Sequence, residues 1–282
     1  MPVSDTIDLL EAELEADQVI KQHGFTTLPI CPFTIAKKAE ILVEPKDSDE
    51  PGVSGFLVRV GNAFGIQYAC HIANEGFIRF TVAHELGHYY LPGHPESLFP
   101  NGDGIHRSRS GFISHDRYER QADQFASSLL MPERLFTEAI DDAGEGFPAI
   151  QSLAELCKTS ITATAIRFAK YTADPVAIIV SSGTSVEYCF LSERLKEVKG
   201  LQWLKKGDLI APRSTTAGFN KNPANVSEAR QDDGSCSLDD WFDGAPHVEM
   251  NEDVVGLGSY SKTLTVLFTD ETIADEVDEY DD

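Results

Sequence analysis

The sequence predicts an α+β protein in which helices pack on a small sheet and a smaller α/β region follows. Apolar side chains recur at helical spacing through most of the first 172 residues. Two short alternating runs, residues 55–60 and 65–69, flank a Gly-Asn turn at residues 61–62 and predict a β-hairpin. After a break at residues 174–175 the apolar pattern changes to that of strands.

The elements follow from these patterns in chain order. Helical spacing predicts helices at residues 5–22, 33–39, 76–91, 116–130, 132–140, 148–157 and 161–171. Short apolar or alternating runs predict strands at residues 41–43, 55–60, 65–69, 176–180, 186–191 and 264–268. The polar, turn-rich stretch 213–236 is predicted to be a mobile loop.

Four regions are predicted from these elements. They are an N-terminal acidic helix (1–27), a domain of helices on a small sheet (28–173), a C-terminal α/β regulatory domain (174–269) and a tail (270–282). The tail holds eight acidic side chains and no basic one, so it is predicted to be disordered.

The charge of the chain limits its partners. Its 282 residues carry a formal net charge of -23, with 41% hydrophobic residues. That hydrophobic content is ordinary for a globular protein and is sufficient for packed cores. The negative surface repels phosphate, which argues against nucleic acid and anionic membranes as partners and favours a basic one.

The sequence is also typical of a cytoplasmic protein. Residues 1–17 are acidic and lack the basic start and apolar run of a signal peptide, and no apolar stretch is long enough to span a bilayer. The five cysteines are Cys31, Cys70, Cys157, Cys189 and Cys236. Their odd number and the lack of a CxxC pair indicate reduced thiols and argue against a cysteine-based zinc site.

One motif indicates metal chemistry. His84 and His88 are four residues apart on a predicted helix, so both imidazoles can point at one ion. Glu85 lies about 100° round the helix axis from His84, where it can reach a water molecule without binding the metal. This H-E-x-x-H arrangement predicts two zinc ligands and a general base. A chance match on a solvated helix is the alternative, so a third ligand must be found.

Two residues compete as the third ligand. His94 lies ten residues after His84, but Leu91 stands where the longer H-E-x-x-H-x-x-G-x-x-H motif requires glycine. The alternative for His94 is a loop residue at the rim of the site. Glu119 lies on the predicted helix 116–130, where it could bind zinc or act only in a capping box with Asp116.

Asp123 lies one turn after Glu119 on the same predicted helix. One of these two carboxylates can bind zinc while the other accepts the remaining N–H of a ligating histidine. Ala122 and Ala126 are small, which would allow the two helices to approach closely. Spacing alone leaves the choice between ligand and cap open.

Three runs of sequence together resemble the ImmA/IrrE-type metallopeptidases: RFTVAHELGH at 79–88, ERQADQFA at 119–126 and LLMP at 129–132. The resemblance covers about residues 28–172. It implies a zincin-like domain in which His84, His88 and Glu119 bind Zn²⁺, Glu85 is the base and Asp123 supports a ligating histidine. It further implies that residues 174–269 form a GAF-like sensor-type domain.

The same resemblance implies a zinc endopeptidase that cuts a regulatory protein, such as a helix-turn-helix repressor or an antitoxin, in transcription regulation or stress response. A non-hydrolytic zinc-stabilised regulatory or toxin–antitoxin module is the alternative, but such a module has no use for Glu85 as a base. Residues 153–171 have the length of a helix-turn-helix, although they hold few basic residues for phosphate contacts. Five residues remain open as the group that stabilises the oxyanion: Tyr89, Tyr118, His94, His106 and His115.

Overall fold

The computed structural model describes residues 3–47, 52–70, 74–109, 116–270 and 273. The chain divides into two compact units. The first holds residues 1–138 and 154–160, and the second holds residues 139–153 and 161–282. Helices and two separate sheets confirm the predicted α+β class. Apart from residues 270 and 273, the predicted acidic tail lies outside the described residues.

The first unit is built from helices and a four-stranded sheet with the order β1-β3-β2-β4. Strand β1 is parallel to β3, and the other pairs are antiparallel. The elements are α1 (Val3–Gln22), α2 (Pro32–Lys38), β1 (Leu42–Lys46), β2 (Val53–Val60), β3 (Ala63–Ala69), α3 (Glu75–Tyr90), α4 (His94–Leu98), β4 (Gly104–Arg109) and α5 (Arg117–Leu130).

The predicted hairpin is formed by β2 and β3. Gly61 opens the two-residue turn between them with φ of 60°, a left-handed conformation that glycine adopts without steric cost. Strand β4 and the short helix α4 were not predicted, because residues 94–109 hold glycines, prolines and polar residues without a clear period. Pairing with the buried strand β2 fixes β4 as a strand.

Helices α3 and α5 form the centre of the first unit. The Asn74 side chain accepts a hydrogen bond from the Phe77 N–H at the start of α3, and the Asp116 side chain caps α5. A Cβ added at Gly87 would lie 3.1 Å from the Cα of Ala122. The two helices therefore approach closely at these small residues, as the sequence predicted for Ala122.

Helix α1 packs on α5 within the first unit. Its apolar stripe is buried, including Ala12, Ala16 and Val19. Polar contacts add to this packing: Arg117 pairs with Asp8 at 2.8 Å, an exposed contact that contributes little to stability by itself. This acidic helix is held on α5 mainly because its apolar stripe is buried there.

The second unit contains a five-stranded antiparallel sheet with the order β6-β5-β9-β8-β7. Its strands are β5 (Val176–Ser182), β6 (Ser185–Leu191), β7 (Gln231–Ser237), β8 (Glu249–Gly256) and β9 (Thr263–Phe268). The three predicted strands correspond to β5, β6 and β9, whereas β7 and β8 were missed. Helix α8 (Ile161–Tyr171) belongs to this unit, and α6 (Glu133–Ala143) and α7 (Gly146–Cys157) contain the points where the chain passes between units.

The prediction of a loop over residues 213–236 is wrong. This stretch forms α10 (Thr215–Phe219), α11 (Pro223–Ser227) and β7, after the short helix α9 (Glu193–Lys196) and before α12 (Leu238–Trp241). A distant residue orders it: the fully buried carboxylate of Glu252 accepts hydrogen bonds from the backbone N–H groups of Thr215 and Thr216. Glu252 lies 36 residues after Thr216 in the sequence, so the composition of residues 213–236 could not reveal this contact.

The basic residues of the helix-turn-helix alternative differ in their exposure. Arg167, one of three in residues 153–171, is buried in α8 with its guanidinium 4.5 Å from the Tyr171 ring. Lys158 pairs with Glu75 at 3.3 Å. The buried Arg167 is therefore not presented as a phosphate contact of a recognition helix would be.

The packing of β2 against α3 can be tested at Gly55. An added Cβ at this position in β2 would lie 2.5 Å from Oε1 of Glu85 and 2.6 Å from Cγ2 of Thr81. Gly55→Ala is therefore expected to push α3 from the sheet and lower the free energy of unfolding by about 1–3 kcal/mol. Gly65→Ala is the matched control, because its Cβ would meet only the Leu42 carbonyl oxygen at 3.7 Å. Chemical denaturation that gives equal changes for both variants would contradict this packing.

Candidate metal centre

Three side chains from α3 and α5 converge in the first unit. One helical turn separates His84 from His88, and their Nε2 atoms lie 3.1 Å apart. The two carboxylate oxygens of Glu119 lie 3.4 Å from these Nε2 atoms, one oxygen to each. One ligand atom of each residue lies within 4.8 Å of the others, so the group could hold a metal ion. Both histidines are buried, and Glu119 is partly buried.

The chemistry of this donor set fits zinc. Two imidazole nitrogens and one carboxylate oxygen are the protein ligands typical of catalytic zinc sites, which leave a position open. Two Nε2 atoms at 3.1 Å with an anionic carboxylate beside them form a concentration of lone pairs that a cation stabilises. His84, His88 and Glu119 would therefore hold the ion.

The carboxyl group of Glu119 is ionised in this arrangement. Burial opposes ionisation, but a hydrogen bond from His106 and the neighbouring imidazoles of His84 and His88 outweigh burial and hold its pKa well below the usual range. The side chain is turned towards the histidines, while Asp116 alone accepts the backbone N–H groups of Tyr118 and Glu119. The capping alternative therefore describes Asp116 and not the carboxylate of Glu119.

The two histidines differ in their electrostatic surroundings. Burial lowers the pKa of His88 to about 3, so this imidazole is neutral. Burial also acts on His84, but hydrogen bonds to Asp123 and Glu119 outweigh it and raise the pKa of His84 to about 10. A metal ion must displace that proton, because only a neutral imidazole is a ligand.

Asp123 lies beside His84 on the side away from Glu119. Its Oδ1 is 2.9 Å from Nδ1 of His84, whereas Nε2 of the same ring faces Glu119. A carboxylate on Nδ1 fixes the tautomer that leaves Nε2 available to a metal. Asp123 therefore lies where it could hold His84 in the orientation of a metal ligand.

Glu85 is completely buried between α3 and β2. Neither carboxylate oxygen has a hydrogen-bond partner among the described residues. Burial raises the pKa of Glu85, although the neighbouring His84 acts in the opposite direction. A buried acid without a partner costs stability, which is a common property of groups that handle protons.

His94 does not lie at the rim, contrary to the loop alternative. It begins α4 and is buried, with Nδ1 at 3.0 Å from Nδ1 of His88 and Nε2 at 3.2 Å from Oε1 of Gln121. It is outside the group of three ligand atoms. Gly93, with φ of 80°, turns the chain back so that His94 points into the unit. In the sequence, Gly93 was the available indication of a chain reversal before His94.

His106 is the residue whose position could not be predicted, because strand β4 was missed. Its Nε2 lies 3.0 Å from Oε1 of Glu119, and its ring centroid is 4.7 Å from that of His88. Two other oxyanion candidates are engaged in ring packing: Tyr89 on Phe64 at 5.1 Å and Tyr118 on His94 at 4.8 Å. His115 lies outside the described residues.

This fold and this donor set define a candidate metal-dependent hydrolase. Residues 75–168 match the model of a metallopeptidase family described as the IrrE N-terminal-like domain. The chain is also 32% identical over 102 residues to the radiation response metalloprotease IrrE of Deinococcus radiodurans. These matches confirm the resemblance to ImmA/IrrE-type metallopeptidases that the sequence predicted.

The similarity to IrrE covers 36% of this chain and 29% of IrrE, so this chain spans less than a third of that relative. A structural comparison reaches further. A Mycobacterium tuberculosis transcriptional regulator has a similar fold, with a TM-score of 0.54 over 91% of this chain and 76% of that chain. At 13% identity this likeness concerns the fold alone. Among the described helices, none has both the length and the apolar character needed to cross a membrane.

The ligand set can be tested by metal titration. We expect the chain to bind about one zinc ion, and His84→Ala or His88→Ala to abolish binding. Glu119→Ala should weaken binding sharply, and Asp123→Asn by roughly 10–100-fold. Asp116→Ala is the matched control on α5: it removes the cap, costs about 1 kcal/mol of stability and leaves zinc affinity unchanged. Normal zinc affinity in Glu119→Ala would reject Glu119 as a ligand.

Proposed function

We propose that this chain is a zinc-dependent endopeptidase with a zincin-like domain that hydrolyses a peptide bond in a regulatory protein. The observation that carries the proposal is the convergence of His84, His88 and Glu119 within 4.8 Å, next to the buried acid Glu85. The match of residues 75–168 to the model of a metallopeptidase family supports it. His84, His88 and Glu119 would bind the zinc, with Asp123 holding His84.

The chemistry divides between the metal and the chain. When bound, zinc supplies a Lewis acid that polarises a peptide carbonyl and makes a water molecule more acidic. Glu85 takes a proton from the attacking water and returns it to the nitrogen of the leaving amine. Burial raises the pKa of Glu85, which makes the carboxylate a stronger base for the first transfer.

The oxyanion requires a donor, and His106 is best placed among the described residues. Its Nε2 lies 3.0 Å from Glu119, on the side of the site formed by β4. Strand β4 is at the edge of the four-stranded sheet. An extended peptide can add to the edge of a sheet through main-chain hydrogen bonds. A substrate bound along β4 would bring its peptide bond close to His106.

The substrate is expected to be a basic regulatory protein, such as a helix-turn-helix repressor or an antitoxin. The net charge of -23 favours a basic partner over phosphate. The similarity to a radiation response metalloprotease supports a role in stress response. We further propose that residues 174–269 form a GAF-like regulatory domain and that the protein acts in the cytoplasm.

A non-hydrolytic zinc-stabilised module is the second candidate. It would leave Glu85 without a role, and a fully buried carboxyl without a partner among the described residues is a cost to folding. Replacement by a residue of similar size without a charge would then be favoured. The presence of this acid beside the ligands supports the hydrolytic function.

The variant Glu85→Gln tests whether Glu85 acts as the general base and not as a metal ligand. We expect this variant to bind zinc normally and to lose cleavage by several orders of magnitude, because the amide cannot accept the proton. New protein N-termini should be compared by mass spectrometry between cells that express the wild type and cells that express Glu85→Gln. A specific cut found only with the wild type supports the endopeptidase. The same cut with both, or no cut with either, would favour the non-hydrolytic module.

His106→Phe tests the oxyanion donor on the substrate found in that comparison. Removal of one such donor should lower kcat by roughly 10²–10³-fold while zinc remains bound. Tyr118→Phe is the control, since it removes the hydroxyl of a competing candidate and keeps the ring that packs on His94. If Tyr118→Phe proved the more damaging of the two in steady-state kinetics, the assignment of His106 would be wrong.

A further inference from the structure

We propose that Gln121 and His94 form a hydrogen-bond relay that fixes the tautomer of His88 and keeps its Nε2 atom directed at the metal. The relay rests on the proposed metal site and adds two positioning residues to it. Asp123 performs the corresponding task for His84. The two ligating histidines thus receive different partners on their outer nitrogens: a carboxylate for His84 and a neutral imidazole for His88.

The relay begins at the N-terminal helix. The side-chain nitrogen of Gln121 lies 3.5 Å from the backbone carbonyl oxygen of Asp8 in α1. A carbonyl oxygen can only accept, so this contact directs the amide nitrogen to α1 and the amide oxygen to His94. Oε1 of Gln121 lies 3.2 Å from Nε2 of His94. Nε2 of His94 must therefore carry the hydrogen.

The contact between His94 and His88 passes the tautomer of His94 on to His88. A neutral histidine that donates from Nε2 has an unprotonated Nδ1, which accepts. Nδ1 of His94 lies 3.0 Å from Nδ1 of His88, so His88 must donate there. The lone pair of His88 is then on Nε2, which lies 3.1 Å from Nε2 of His84 and 3.4 Å from Glu119. The tautomer set by the relay is the one that a metal ligand requires.

Because these residues are buried, the relay is the main determinant of the tautomer of His88. His88 is 0% exposed, His94 is 1% exposed and Gln121 is 7% exposed. Solvent therefore has little access to replace a lost partner, and an unpaired N–H at this depth is costly. The Tyr118 ring packs edge-on against His94 at 4.8 Å and fixes the plane of the imidazole. Four elements take part: α1, α3, α4 and α5.

Four single variants test the relay. His94→Phe keeps a ring and removes the acceptor, whereas His94→Asn places a carbonyl oxygen near the former Nδ1. Gln121→Leu removes the acceptor that sets the His94 tautomer. Gln124→Leu is the matched control, because Gln124 also links α5 to α1, at 3.4 Å from Glu13, and does not touch a ligand. Circular dichroism and thermal unfolding of the zinc-free proteins identify the variants that fold.

Zinc dissociation constants are measured by competition with a chelator. We expect His94→Phe to weaken zinc binding by roughly 10–100-fold and Gln121→Leu to weaken it less, with partial recovery in His94→Asn and no change in Gln124→Leu. The double variant His94→Phe/Gln121→Leu should be no weaker than His94→Phe alone, because both changes act through His88. Long-range ¹H–¹⁵N spectra of the zinc-loaded wild type should show His88 protonated at Nδ1.

The results separate the relay from the metal site. A wild type that binds zinc, together with His94→Phe and Gln121→Leu variants that bind it equally well, would overturn the relay and leave the proposed function intact. His88 protonated at Nε2 in the zinc-loaded protein would overturn it as well. A folded wild type that binds no zinc would overturn the metal site and the relay together.

Discussion

The close approach of α3 and α5 is the constraint on which the site depends. Gly87 faces Ala122 at a distance where an added Cβ would be 3.1 Å from the facing Cα. Only this separation allows the carboxylate of Glu119, on one helix, to lie 3.4 Å from the imidazoles of His84 and His88 on the other. Larger side chains at the contact would move the helices apart by more than a coordination distance tolerates. Backbone packing is therefore part of the metal chemistry.

The site concentrates polar groups that are costly to bury. Asp123 and His94 each satisfy an outer nitrogen of a ligating histidine, so both imidazoles are held before any ion arrives. Glu85 is the exception, with no hydrogen-bond partner for its carboxylate among the described residues. The buried carboxylate of Glu85 lowers the stability of the fold, and the hydrogen bonds of Asp123 and His94 to the histidines offset part of this cost. This distribution is typical of catalytic sites.

Much of the first unit could be predicted from sequence because local signals agree there. The helical period and the H-E-x-x-H spacing located α3, and the Asp116 cap and an apolar face located α5. His106 could not be placed, since β4 becomes a strand only through pairing with β2. The role of His94 depends on the turn at Gly93 and on Gln121, contacts that spacing does not encode. In the second unit, Glu252 orders a stretch that looks like a loop by composition.

The most direct measurement of the central claim is anomalous diffraction at the zinc absorption edge from crystals of the zinc-loaded wild type. We expect one strong peak, bounded by Nε2 of His84, Nε2 of His88 and the carboxylate of Glu119, at about 2.0–2.2 Å from each ligand atom. Neither His94 nor His106 should lie within that distance. A peak that has His94 or His106 as a ligand, or zinc-loaded crystals without a peak between α3 and α5, would contradict the account.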